Sequence, residues 1–223
     1  MKKYACYCMT RNIYHKVIPS LRSLLANSSV DHVYLITEDD DIGFPVPEEV
    51  SIINMADQKF FPTDGPNYHC GWTYMVMMRV ALCHILPEID RVLALDLDTI
   101  VAENIDEIWD TPMGDRYYAG AAEVSCSQET LFANGGVILW NLRKMRDGMA
   151  DRIIDELNHV WYGWPEQECM NKLCKGQIYK LSSAYNACRF TKPTKHPKIY
   201  HFAAKRWWYE NEPLVQEWKG ELV

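Results

Sequence analysis

Two aspartates one residue apart close an apolar run in the stretch Val92-Leu93-Ala94-Leu95-Asp96-Leu97-Asp98. A lone carboxylate is costly in an apolar interior, so a pair here calls for a counter-charge. Alternate side chains of a strand share one face. Two carboxylates converging at a strand end suit a hard divalent ion such as Mn²⁺ or Mg²⁺. An ion held by few protein ligands keeps open positions, and phosphate oxygens commonly fill them. The plainer role for the same segment is a turn, with Asp98 or Thr99 as its cap.

The elements that must position this pair follow from hydrophobic period and turn residues. Strands are expected at 4–9, 32–37, 51–54, 91–95, 117–124, 136–141, 178–181 and 198–201. Helices are expected at 15–27, 72–86, 104–109, 149–160 and 166–174. Residues 57–71 hold Pro62, Gly65, Pro66 and Gly71, so they read as a long loop of the kind that often serves as a lid. The helix at 72–86 carries Met75, Met78, Leu82 and Ile85 on one face, which reads as core packing. Strands alternating with helices predict an α/β fold with a mainly parallel sheet flanked by helices. Such sheets take ligands at the carboxyl ends of their strands, where Asp96 and Asp98 fall.

The 223 residues show no internal repeat or linker, so one domain over 1–223 is expected. A net charge of −7 without a basic block argues against nucleic acid as a partner. The absence of an 18-residue apolar stretch predicts no integral membrane segment. The start Met1-Lys2-Lys3-Tyr4 lacks a signal-peptide pattern, so a cytoplasmic location is expected. Eight cysteines without a C-x-x-C pair are expected to be buried free thiols rather than disulfides or a zinc site.

Four segments, in order, carry a resemblance to a known family. They are "MMRVALCHILPEIDRVLALDLDTIVAENIDEIW", "FANGGVILWNL", "EQECMN" and "HFAAKRWW". The chain resembles glycosyltransferase family 8, the galactosyltransferase and glycogenin-like enzymes, from about Tyr4 to Trp208. The resemblance implies a GT-A fold. It also implies retaining transfer of a hexose from a UDP-sugar, UDP-glucose or UDP-galactose, to a glycan, lipid-linked or protein hydroxyl with Mn²⁺ (or Mg²⁺).

The resemblance assigns roles residue by residue. Asp96, Asp98 and His201 hold the metal. Arg79 lies across the donor and can fork to a phosphate or sugar hydroxyls. Asp96 with Leu97, Asn134 and Gly135 face the donor sugar. From the residues themselves, Glu123 at a strand end can accept from a sugar or acceptor hydroxyl or stand solvated, and Lys205, not at the family's spacing for its basic residue, can reach the β-phosphate. Glu166 binds sugar hydroxyls, and Gln167 sits near the anomeric carbon. Thr10, Asn12 and Tyr14 contact the nucleoside, with Tyr14 stacking on the base. An amide is a poor nucleophile, so a same-face route is favoured over double displacement. Ala204 stands where the family has glycine, and Arg11 stands where acidic residues are common.

Two other readings use the same residues. "LDLDTI" also resembles the start of haloacid-dehalogenase phosphatases, in which the first aspartate, here Asp96, is the nucleophile. That motif usually opens its domain, whereas here about 90 residues precede it, and Ile100 replaces the expected Thr or Val. A non-catalytic sugar-nucleotide-binding protein on the same fold is the third reading. The retained acidic pair, Arg79, Gln167 and His201 weigh against it.

Overall fold

The structure is a computed structural model and describes residues 1–125 and 131–222. Cys126 lies outside the described residues. Nine strands are described: β1 (Tyr4–Cys8), β2 (His32–Thr37), β3 (Val50–Asn54), β4 (Arg91–Leu95), β5 (Thr99–Val101), β6 (Tyr118–Ala122), β7 (Ala133–Asn141), β8 (Ile178–Leu181) and β9 (Ile199–His201). Seven form one sheet in the order β3-β2-β1-β4-β7-β6-β8, and β5 with β9 forms a two-stranded ribbon. β1 pairs in parallel with β2 and β4, β2 with β3, and β6 with β8. β7 alone runs against its neighbours β4 and β6. The mainly parallel sheet expected from the sequence is therefore present.

Burial explains the strand sequences. All nine residues of β7 are buried, and both faces of β4 are covered. Strands buried on both faces read as continuous apolar runs rather than alternations. One core packs on the Met75–Leu82 side with Trp140, Ile153 and Met170, and the other packs around Leu21, Leu24, Leu35 and Trp109. The helix Val17–Asn27 buries Val17, Leu21 and Leu24 at helical spacing. Its Pro19 lies in the first turn, where no intrahelical donor is needed.

The helix expected at 72–86 is broken. It runs as Tyr74–Met77, a 3-10 turn Met78–Ala81, and Leu82–Ile85. Met75, Met77, Met78, Val80, Ala81 and Leu82 are all buried, so the segment packs on every side. Tertiary packing sets its winding in place of one amphipathic face. The helix 15–27 likewise begins as a 3-10 turn at Arg11–Lys16. The ribbon strand β5 and the short C-terminal helices Trp208–Asn211 and Pro213–Trp218 are not among the elements read from the sequence.

The loop read as a lid is pinned. Asn67 donates to the carbonyls of Leu157 (2.6 Å) and Val160 (2.7 Å), and accepts from the Tyr162 amide (2.9 Å). All seven described cysteines are free, and Cys6, Cys83, Cys169 and Cys174 are buried. No helix among the described residues is long and apolar enough to cross a membrane.

Gly120 lets β6 approach β7. A Cβ there would lie 2.8 Å from the Ala133 Cβ and 2.9 Å from the Ile138 Cδ1. Gly120→Ala is expected to lower unfolding stability by about 1–3 kcal/mol through overpacking. Urea denaturation checks this, and an unchanged midpoint would contradict the packing described.

Candidate active site

β4 ends at Leu95, and the chain turns at Asp96–Asp98 before β5 begins at Thr99. The Asp96 amide donates to the Gly136 carbonyl (2.8 Å), and the Thr99 hydroxyl donates to the Asp96 carbonyl (2.8 Å). Thr99 thus closes the turn, which leaves both carboxylates for other work. β5 pairs antiparallel with β9 so that Thr99 stands opposite His201. The Phe202 amide then donates to the Asp98 carbonyl (2.8 Å). His201 Nε2 comes to 3.3 Å from Asp98 Oδ1 and 3.6 Å from Asp96 Oδ2. One ligand atom from each of the three residues lies within 4.8 Å of the other two.

This donor set fits a divalent cation. Two carboxylates and one imidazole combine hard oxygen with a borderline nitrogen. His201 Nδ1 sits 2.8 Å from Asn186 Oδ1, an acceptor, so Nδ1 carries the proton there. A fixed tautomer of this kind leaves Nε2 to face the ligand position. Burial favours the neutral ring, but the Asp98 charge outweighs it and the His201 pKa is pushed up to about 10. Burial pushes the Asp96 carboxyl up, opposed by Arg79 and reinforced by Asp98. The cluster is thus a place where carboxylates crowd and a positive charge is favoured.

Gly136 makes room for the imidazole. Any Cβ at Gly136 would overlap the His201 ring, so β7 must carry glycine at this point.

Arg79 is 4% exposed and holds three segments together. Its Nη1 donates to Asp96 Oδ1 (2.8 Å) and to the Gly135 carbonyl (2.7 Å). Its Nη2 donates to Glu166 Oε1, and its Nε donates to the Val76 carbonyl (3.3 Å). Burial disfavours this charge, yet Asp96 and Glu166 raise its pKa overall. Burial raises the pKa of Glu166, with Arg79 pulling against it. The sequence reading laid Arg79 across a donor. Its guanidinium lies in the cleft lining, where protein acceptors hold it at the floor.

Glu166 and Gln167 open the helix Pro165–Leu173, with Pro165 at its first position. Gln167 Oε1 accepts from the Gly135 amide (2.6 Å), and Gln167 Nε2 donates to Glu123 Oε1 (3.2 Å). Glu123 Oε1 also accepts from Asn134 Nδ2 (2.8 Å). Asn134 Oδ1 accepts from the Gly136 amide (3.1 Å) and from Asn186 Nδ2 (2.9 Å). One hydrogen-bonded chain therefore runs from Gln167 through Glu123, Asn134 and Asn186 to His201.

These groups line a cleft of about 370 Å³ at the carboxyl ends of β1 and β4. Thr10, Arg79, Asp96, Leu97, Asp98, Glu123, Asn134, Gly135, Glu166, Gln167 and His201 all reach it. Three residues from the sequence reading do not. Tyr14 is buried, its hydroxyl donates to Asp39 Oδ2 (3.0 Å) and accepts from the Glu38 amide (2.8 Å), so its ring offers no stacking face. Asn12 accepts from Thr10 Oγ1 (2.8 Å) and lies outside the cleft lining. Lys205 pairs with Glu212 and lines a neighbouring cavity instead.

The sequence reading missed Lys16, Ile13, Trp208 and Asn186. Lys16 follows β1 by a short turn, and a cation at that place in the chain was a readable signal. Asn186 gave none, because it stands in a turn far from any motif. Ala204 and Thr73 line the cleft at φ 55° and 65°. Such left-handed backbone costs an L-residue roughly 1–2 kcal/mol, and Ala204 adopts at the family's glycine position a conformation that glycine takes freely.

Asn186→Ala is expected to weaken Mn²⁺ binding by roughly 10–100-fold, as loss of an outer-shell partner does elsewhere. Calorimetric titration with Mn²⁺ reads this directly, and equal affinity in the variant would show that the Nδ1 bond does not set the ligand.

The chain is similar to known proteins along nearly its whole length. The model of glycosyl transferase family 8 matches residues 3–209. Glycosyltransferase GlyE of Streptococcus pneumoniae serotype 4 is 25% identical over 189 residues, which is 75% of this chain and 43% of that protein. This chain thus spans less than half the length of that relative. The solved galactosyltransferase LgtC, in complex with donor and acceptor sugar analogues, superposes with a TM-score of 0.70 at 16% identity, covering 91% of this chain and 87% of that one. Solved GlyE gives 0.70 at 20% identity, covering 98% and 59%. Mouse xyloside xylosyltransferase 1 gives 0.67 at 17% identity, covering 91% and 98%. With its mainly parallel sheet and these neighbours, the chain has a GT-A fold and belongs to glycosyltransferase family 8.

Proposed function

We propose that this protein is a metal-dependent retaining glycosyltransferase. It moves a hexose from a UDP-sugar, UDP-glucose or UDP-galactose, to a hydroxyl of an acceptor. The observation that carries this reading is convergence. Asp96, Asp98 and His201 meet Asn134, Gly135, Glu166 and Gln167 around one cleft of a family 8 chain.

Asp96, Asp98 and His201 hold the divalent ion, which supplies positive charge where the departing diphosphate gathers negative charge. Mn²⁺ suits the two carboxylates and the imidazole. Thr10 stands beside the nucleoside, and Lys16 adds a cation at the cleft wall. Asn134 and Glu166 face the hexose hydroxyls. Arg79 acts by positioning, because it fixes Asp96 and Glu166 relative to each other.

Gln167 supports a same-face route. Its amide oxygen already accepts from the Gly135 amide, and its nitrogen is held by Glu123. An oxygen so engaged is a weaker nucleophile still. In the same-face route the bond from the anomeric carbon to the phosphate oxygen breaks as the acceptor oxygen bonds to that face. The acceptor proton passes to the departing phosphate oxygen. Gln167 lies beside the carbon that gains positive charge and stabilises it with its carbonyl dipole.

The dehalogenase-like reading of Asp96 gives way here. One Asp96 oxygen is bonded to Arg79 and the other faces His201, and the family match covers the segments on both sides.

Thermal unfolding with a panel of nucleotide-sugars tests the donor. A donor at about 100 times its dissociation constant adds about 2.7 kcal/mol of stability. The stabilisation is expected with one UDP-sugar plus Mn²⁺, and it is expected to vanish in Asp98→Ala. Transfer in Asp98→Ala is expected to fall by about 10³-fold, the loss of several kcal/mol of charge stabilisation. Full turnover in that variant would end the metal-dependent reading. Gln167→Ala is expected to keep measurable transfer, with mass spectrometry finding no glycosyl adduct on the wild-type protein. An adduct on Gln167 or Glu123 would establish double displacement instead.

A further inference from the structure

Charge is unevenly spread along this chain. The 41 residues from Cys169 to Tyr209 contain nine of the 23 Lys and Arg and none of the 30 Asp and Glu. In a protein of net charge −7, such a segment is a local excess of basic residues along the chain. Some of its cations are neutralised by acids from elsewhere. Lys172 pairs with Glu156, Lys198 with Glu107 and Lys205 with Glu212. Arg189 and Lys192 are exposed and have no ion pair among the described residues.

Those two residues line a second cavity, of about 530 Å³, together with Lys205, Tyr200 and Phe202. Among the described residues, no acidic side chain lines it. The cavity and the candidate active site share His201 and Ala203 in their walls, so they adjoin at the chain segment running on from β9. Phe190, beside Arg189, lines the active-site cleft itself. A molecule entering the cleft over this edge passes unpaired cations on its way.

We infer that this cavity is an anionic acceptor subsite, and that the acceptor is a saccharide bearing a phosphate held by Arg189 and Lys192. The word acceptor rests on the transferase reading above, whereas the binding of an anionic saccharide does not. Guanidinium and ammonium donors bind phosphate oxygens by charge-assisted hydrogen bonds, Arg189 in a fork and Lys192 as a point charge. Tyr200 and Phe202 line the same cavity and add aromatic surface on which a sugar can pack. The concave shape suits a phosphate on a glycan better than a flat lipid surface. The acidic remainder of the chain disfavours a long nucleic acid.

The test compares two probes that differ only by phosphate. One is a fluorescein-labelled gluco-oligosaccharide carrying a single phosphate monoester, and the other is the same probe after phosphatase treatment. Binding is read by fluorescence anisotropy at about 50 mM salt, where charges are weakly screened. The phosphorylated probe is expected to bind roughly tenfold tighter or better, the effect of one hydrogen bond to a charged group. That gap is expected to close in the double variant Arg189→Ser, Lys192→Ser, both residues being exposed and outside the active-site cleft. Donor hydrolysis in the double variant is expected to match wild type. Equal affinity for the two probes, or a gap that survives the double substitution, would overturn the inference. So would co-sedimentation with phosphatidylglycerol vesicles when neither probe binds. Absence of donor hydrolysis in the wild type would count against the transferase reading and leave the binding result standing.

Discussion

A buried guanidinium organises this site. Arg79 reaches the carboxylate of Asp96, the carbonyl of Gly135 and the carboxylate of Glu166. Those groups come from the turn after β4, from β7 and from the helix Pro165–Leu173. A buried charge is tolerated only when it is paired and its hydrogen bonds are filled. Three distant segments must therefore be in place together before Arg79 can be buried. The same requirement fixes Asp96 next to the ligand position and Glu166 at the cleft wall. The brace stabilises one arrangement more than it adds to overall stability, since pairing only offsets desolvation.

The ribbon β5–β9 supplies the second constraint. Thr99 both closes the Asp96 turn and stands opposite His201. A slip of one residue in this pairing would turn His201 away from Asp98. Glycine at 136 leaves the imidazole the space that a Cβ would take. Asn186 fixes the ring tautomer and links it to Asn134. The Asp96–Asp98–His201 cluster and the amides of Asn134 and Gln167 are thus parts of one hydrogen-bonded network.

The edges of the cleft are built differently from its floor. Thr73 and Ala204, both in the cleft lining, hold positive-φ backbone, and Trp72 is half exposed beside Thr73. Strained residues persist where surrounding structure determines them, and they gather at ligand clamps. The floor, by contrast, is fully packed, with β7 buried throughout.

Much of this was present in the residues themselves. The apolar runs of β1, β2 and β4 marked the strands, and the pair Asp96–Asp98 at a strand end marked the carboxyl edge of the sheet. Period and residue type are local, so a single segment carries them. The family motifs added His201, Asn134 and Gln167 by their order along the chain. What the sequence could not state was where long side chains end. The resemblance placed Arg79 by the donor, but only packing shows that it also ties Asp96, Gly135 and Glu166 together at the cleft floor. Tyr14 read as a stacking ring, yet Glu38 and Asp39 take its hydroxyl inward. The Met-rich helix read as one-sided, yet burial all round breaks it. Asn186 bore no motif, and only the approach of β9 to the Asp96 turn gives it a partner. Such contacts join residues far apart in the chain, so they follow from strand register and helix packing rather than from any local pattern.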